Sequence, residues 1–396
     1  MSDSEAEEPE RVRWSFLAAG YASLFVLGLC DNARPSLFGG ILEGLALGDG
    51  AGSLFFAVTS LGVVAGSLGL RGLVRASAPR GLRVALVLCA LGLACNALAG
   101  GLVSLLAASA LFGMALGGLA LAQNVLVGQA SPPALRRRFL AGLHSVYGLA
   151  SLLAPLGVAA LRTEGTGWRA SFLLLAGAPL LLLAATSRLR GRPAPPGPRT
   201  PAPLGPTLGV AWVAGFAVVG ELLLSTRLPL LFAREGFPPG WGDVALSAFF
   251  LCLTASRLAL GLRSVRASNA RVLATGLAGA ATLFALGLWT TPLLLPLAAL
   301  FLGPLFPTAV DLLAERVPHA LESALGLLIA CVSVLAGGVH AAVGLASELY
   351  GLRTALGAGP LALAAALAVL ALVSRSAPPG SRPRSCASPA RGRSAG

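Results

Sequence analysis

The chain has 396 residues, 56% hydrophobic and only 11% charged, with 50 glycines and a mean hydropathy of +0.82. A soluble domain is roughly 45–50% apolar and about 25% charged, so too little polar surface remains to clothe a soluble fold of this size. The net charge of +13 rests on 29 basic residues, all of them Arg, and the lack of Lys excludes a P-loop ATPase, a Schiff-base enzyme and a lysine general base.

The N-terminus opens with an acidic run, Ser2 to Glu10, unlike the basic start of a cleaved signal peptide. A spanning helix needs about 20 mostly apolar residues. On that measure twelve spans are predicted, near 15–36, 52–70, 84–100, 102–128, 140–161 and 170–187, then 208–232, 243–261, 272–289, 293–313, 322–346 and 354–374. Gly100-Gly101 and Thr290-Thr291-Pro292 divide apolar runs too long for one crossing and must be tight hairpins. Arg188 to Pro206 is rich in Pro, Arg and Gly and cannot span. The expected organisation is a tail (1–14), a six-helix bundle (15–187), a linker (188–207), a second six-helix bundle (208–374) and a disordered basic tail (375–396).

Arginine sets the orientation. It collects at the N-terminus (Arg11, Arg13), in the even-numbered connections (for example Arg71, Arg75, Arg136 to Arg138, Arg188 and Arg271) and in the tail. The odd connections hold only Arg162, Arg169, Arg234 and Arg353. Positive charge stays on the cytoplasmic side, so both termini are expected there. Because the arginines sit between apolar runs, their partner is the lipid bilayer and not nucleic acid. Cys30, Cys89, Cys95, Cys252 and Cys331 lie inside apolar runs without a CxxC pair. Neither a disulfide frame, a metal site nor a cofactor is suggested.

The two halves echo each other. LGLR followed by RAS occurs at 68–71 and 75–77, and again at 260–263 and 266–268. Gly20-Tyr21-Ala22 with later Arg34 is matched by Gly215-Phe216-Ala217 with Arg227, and Gly167-Trp168-Arg169 by Gly351-Leu352-Arg353. The separation between matches shrinks steadily along the chain, as it would if loops shorten in the second copy. Two parallel six-helix repeats can rock about a central site and open it to each side in turn.

In these features the whole chain resembles the major facilitator superfamily, an all-α integral membrane fold of twelve helices in two pseudo-symmetric bundles. DNARPSLF (31–38), GLHSVYGLASLLAP (142–155) and GPLFPT (303–308) are similar to segments of its fucose:proton symporter branch. Two departures stand out. The loop GLRGLVRASAPRGLR (69–83) lacks the acid the superfamily commonly carries there, and Ala120 stands where the fucose branch has a fourth-span carboxylate. The resemblance implies a transporter without implying its sugar substrate.

A charged side chain at mid-membrane costs roughly 2.5–3.5 kcal/mol on insertion scales, so such residues face the interior, pair, or line water. Asp31 and Asn32 in the first span are candidates for solute binding, and Asp31 also for proton coupling; alternatively Asp31 pairs with Arg34 one turn on. Glu221, between apolar neighbours in the seventh span, is the leading proton-coupling candidate; alternatively it pairs with Arg227 or Arg257. Gln123, Asn124, His144 and Tyr147 are further solute-binding candidates, the amides doubling as helix glue. Arg71, Asp311 and Glu315 are gating candidates, with Arg316 expected to bridge the two acids. His340 is read as core packing, and GMALGGLA (113–120) as a small-residue packing surface.

The sequence thus predicts a secondary active transporter of a small polar organic solute, sugar-like or another metabolite, coupled to protons. It would act as a monomer in a bacterial inner membrane. The rivals are a proton-driven exporter of drugs or metabolites, a receptor-like protein without transport, and a polytopic membrane enzyme. Three scattered His and no paired acidic motif speak against the last.

Overall fold

A computed structural model describes residues 11–191, 200–262 and 267–375. The acidic start (1–10), residues 192–199 of the expected linker, Arg263 and Arg266, and the basic tail beyond Arg375 lie outside the described residues. Within them the chain is all-helical, with twelve helices long and apolar enough to span a membrane. The first half comprises α1 (Trp14–Gly44), α2 (Asp49–Gly69), α3 (Ala78–Ala97), α4 (Leu102–Ala130), α5 (Pro133–Thr163) and α6 (Trp168–Thr186). The second comprises α7 (Leu204–Arg234), α8 (Trp241–Leu262), α9 (Asn269–Trp289), α10 (Pro292–Arg316), α11 (Leu321–Tyr350) and α12 (Leu352–Arg375). A short helix, Arg71–Ala76, lies between α2 and α3.

Every expected span has its helix, and both hairpins fall at the expected places. Several helices run longer than hydropathy alone suggests. α1 continues from residue 36 to Gly44, α5 takes in the arginines 136–138, and α7 begins at Leu204, inside the stretch read as linker. At about 1.5 Å per residue, a helix of 31 residues outruns a hydrocarbon core of about 30 Å and carries polar turns beyond it. Helix α10 is the irregular one. It enters as a 3-10 turn, Pro292–Ala298, continues as Ala299–Leu302, and resumes at Leu305–Arg316. Its prolines lack the N–H that a regular helix needs.

Small residues bring helices together. Gly62 and Gly66 of α2 face Gly113 and Gly117 of α4 so closely that a β-carbon on Gly66 or Gly117 would collide with the opposing backbone. The GMALGGLA stretch is therefore a packing surface, as its composition suggested. Phenylalanines fill much of the remaining core, with Phe38, Phe55, Phe112, Phe172, Phe249 and Phe284 all buried.

The repeat is visible in how helix ends are satisfied. Arg169 donates to the Ala97 carbonyl at the end of α3 (2.6 Å), and its repeat mate Arg353 donates to the Leu288 carbonyl at the end of α9. The two halves meet through α2 against α11, α5 against α8, and α1 against α7. The even number of spans puts Trp14 and Arg375 at one end of the bundle, called here the terminal end. The opposite end is called distal.

Candidate transport pathway and gate

DNARPSLF supplies the centre of the first half. Arg34 is fully buried, and its Nη1 meets Asp31 Oδ1 at 3.2 Å. Its Nη2 donates to Thr59 Oγ1 (2.6 Å) and to the Phe55 carbonyl (3.3 Å), while the guanidinium lies over the rings of Phe55, Phe56 and Phe112. Asp31 keeps a third of its side chain exposed. Asn32 is buried, and its amide nitrogen donates to Ser151 Oγ (2.9 Å) and Tyr147 Oη (3.2 Å) of α5. This region of α1 is therefore tied to α2 and α5 through groups that all belong to one half.

The second half arranges its charges differently. Glu221 pairs with Arg257 of α8, its Oε2 lying 3.3 Å from Nη2, and not with Arg227. Both side chains are only partly buried, at 22% and 34% exposed. Arg257 Nε donates to the Gly303 carbonyl at 3.0 Å. Four residues after Gly303 stands Pro307, which has no N–H to offer that carbonyl, so the break in α10 leaves an acceptor that Arg257 fills. The GPLFPT segment thereby fixes Arg257, and Arg257 holds Glu221. Tyr147 adjoins Gly148, which packs on Thr254 of α8, three residues before Arg257. The structure thus brings Asp31, Asn32, Tyr147 and Glu221 to one central region.

Other candidates fall elsewhere. Gln123 is buried and accepts a hydrogen bond from Ser23 (3.4 Å), joining α4 to α1. Asn124 is exposed and donates to its own helix at the Ala120 carbonyl (2.7 Å). The His144 side chain lies outside those described. The expected bridge of Arg316 with Asp311 and Glu315 is not among the described contacts. Arg316 donates to the Val373 carbonyl at the end of α12 (2.9 Å), because the open carbonyls of a helix terminus attract a guanidinium. Glu315 accepts from Asn269 (2.9 Å), and Asp311 and Arg71 are exposed.

The clearest charged contacts between halves had no place in the sequence reading. Asp49, at the start of α2, accepts two hydrogen bonds of 2.6 Å from Arg234 at the end of α7, and a further one from Ser347 of α11. Asp243, at the start of α8, pairs with Arg162 at the end of α5 (2.9 Å). The two clasps repeat one design: an acid opening the second helix of one half meets an Arg closing a long helix of the other. Glu348 adds a bond to the Gly50 amide (2.9 Å), and Ser247 one to the Leu152 carbonyl (3.0 Å). A signal existed in LGDG (47–50) and GWGD (240–243), but an acid in a first helical turn reads as a partner for the helix dipole. Only folding sets an Arg of the other half against it.

The hydrogen bonds and ion pairs named above that cross between the halves lie in the distal part of the molecule. At this end is a cavity of about 880 Å³ whose lining includes the clasp residues Arg162, Arg234 and Asp243 together with Ser36, Glu43 and Trp168. Polar contacts thus close the distal end, and the central charged groups lie on its terminal side.

The profile of the Major Facilitator Superfamily matches residues 20–339. No curated protein matches the sequence. Among solved structures, a bacterial homologue of the human lysosomal transporter Spinster, inward-facing and unoccupied, is similar at a TM-score of 0.78 and 13% identity, covering 93% of this chain and 98% of that one. A mutant of the nucleoside transporter NupG has a TM-score of 0.72 at 13% identity, covering 91% and 99%. The transporter FucP, in its outward conformation, has a TM-score of 0.62 at 15% identity, covering 91% and 99%. These likenesses share the fold and do not single out the fucose symporter branch. With a profile spanning most of its length and twelve apolar helices in two halves, the chain belongs to the Major Facilitator Superfamily: a multi-pass membrane transporter, not an enzyme.

Proposed function

We propose that the protein is a proton-coupled symporter of a small polar organic solute, working by alternating access in a bacterial inner membrane with both termini cytoplasmic. The observation that carries this reading is the Glu221–Arg257 pair, partly exposed and held between two spanning helices, α7 and α8. A proton on Glu221 would cancel its attraction to Arg257. Arg257 would then be free for solute, and the cost of exposing the pair would change between conformations. Asp31, Asn32 and Tyr147 offer carboxylate, amide and phenol groups for hydroxyl or amine contacts. The closed distal end supports a state in which solute reaches the centre from the terminal side, the cytoplasm if the arginine distribution sets the orientation. Gly28 and Gly148 let helices approach near this centre, Gly148 lying where a β-carbon would be 2.6 Å from Thr254 Oγ1 of α8.

Purified protein in proteoliposomes with an imposed proton gradient, offered sugars, amino acids and nucleosides, tests the reading. Glu221→Gln should cut gradient-driven accumulation by about tenfold while solute counterflow persists, and Asp31→Asn should weaken both. Undiminished accumulation in both variants would remove proton coupling from these residues. Everted vesicles decide between symport and export.

A further inference from the structure

Arg227 of α7 is as buried as Arg34, yet no carboxylate lies within ion-pair distance among the described residues. Three residues before Arg34 stands Asp31; three before Arg227 stands Leu224, which is apolar and fully buried. The rings and the hydroxyl that touch the Arg227 guanidinium come from the opposite half. It lies over Phe38 of α1 at 4.8 Å and Phe56 of α2 at 4.9 Å, and its Nη2 donates to Ser53 Oγ at 2.9 Å. Its Nη1 is buried without an acceptor. Asp49 is within Coulombic reach, but so is Arg234, which has already engaged that carboxylate with both terminal nitrogens. His340 of α11 stacks on the same Phe56 ring (5.4 Å), with Arg227 and Arg34 as charged neighbours and its Nδ1 likewise without a partner.

We propose that Arg227 acts as a spring that drives the distal end open. Closing that end pushes an unneutralised guanidinium of the second half into an aromatic cage of the first. Two ring faces and one hydroxyl return less than the water it gives up. Opening withdraws it from Phe38, Phe56 and Ser53 and restores its hydration. The clasps Asp49–Arg234 and Asp243–Arg162 hold the closed state against this tension, so the two elements act in opposite directions on one equilibrium. Pro229, two residues on, lacks the N–H of a regular helix and weakens α7 where the guanidinium must move.

The inference rests on the alternating-access reading, and the test keeps the two apart. Hydrogen–deuterium exchange is followed by mass spectrometry on the full chain in lipid nanodiscs, in peptides covering 37–56, 228–248 and 340–352. Asp49→Asn should raise exchange in these segments by breaking a clasp. Arg227→Met, which keeps the packing on Phe38 and Phe56 and removes the charge, should lower it by at least about threefold. Should that variant not accumulate, Arg227→Gln carries the same expectation. If Asp49→Asn raises exchange and the Arg227 variants raise it too or leave it unchanged, the residue is a latch or a filler, and the spring is overturned. If neither substitution moves exchange, the distal end does not open at all, and both readings fall.

Discussion

Helices α1 and α7 hold matching places in the two halves, each with a buried Arg one or two residues before a proline, yet they place these arginines in different ways. In α1, Arg34 is neutralised by Asp31 of its own helix and finished by Thr59 of its own half, while Tyr21 donates to the Phe139 carbonyl of α5 at 2.7 Å and Asn32 to Tyr147 and Ser151. In α7 the repeat mate of Tyr21 is Phe216, which stacks on Trp212 (5.5 Å). Ser225, standing before Arg227 as Asn32 stands before Arg34, bonds among the described residues to its own helix at Leu222 (3.3 Å). Its two arginines, Arg227 and Arg234, reach across to the other half. The difference teaches that the arginine of α1 is braced into its own bundle, whereas α7, tied to its own half through Glu221–Arg257, also carries the arginine contacts that the proposed rocking would form and break.

The largest effect that can break this comparison lies at the paired arginines. Arg34→Met strands Asp31 and Thr59 and should destabilise the fold by about 3 kcal/mol, the low end for a broken buried pair because Asp31 is partly hydrated. Arg227→Met should leave the thermal midpoint in detergent at or above that of the unmodified chain. Equal losses in both would erase the distinction. Next, Asn32→Ala should cost about 1–2 kcal/mol through lost bonds to α5, against no more than about 0.5 kcal/mol for Ser225→Ala. A Ser225 loss as large would reveal a brace in α7 beyond the Glu221–Arg257 pair. Smallest, Tyr21→Phe should cost about 1 kcal/mol by leaving the Phe139 carbonyl without its donor; no change in the midpoint would mean that this tie does not hold α1 in place.

Much of this was legible beforehand. Twelve apolar runs gave twelve helices because a backbone in hydrocarbon must satisfy its own hydrogen bonds, and the echoed segments gave the repeat. The central acids were legible too, since a charge inside a long apolar run has few reasons to persist. Their partners were only half legible. Asp31 with Arg34 follows from helical spacing, whereas Glu221 had two arginines within reach on paper. The choice of Arg257 depended on a broken α10 presenting the Gly303 carbonyl beside it. Gln123 and Asn124 are adjacent in sequence, and helical geometry sent one into the core and the other outward.

The sequence by itself determined the membrane class, the number of spans, the duplication and the rarity of charge within the spans, because each depends on local composition and on distances along one helix. The tertiary structure decided which end is closed and which charges meet. Asp49 lies far along the chain from Arg234, and Asp243 from Arg162. Arg227 finds its aromatic cage only where the two halves press together. Contacts of that kind depend on the relative placement of whole bundles, which no window of neighbouring residues encodes.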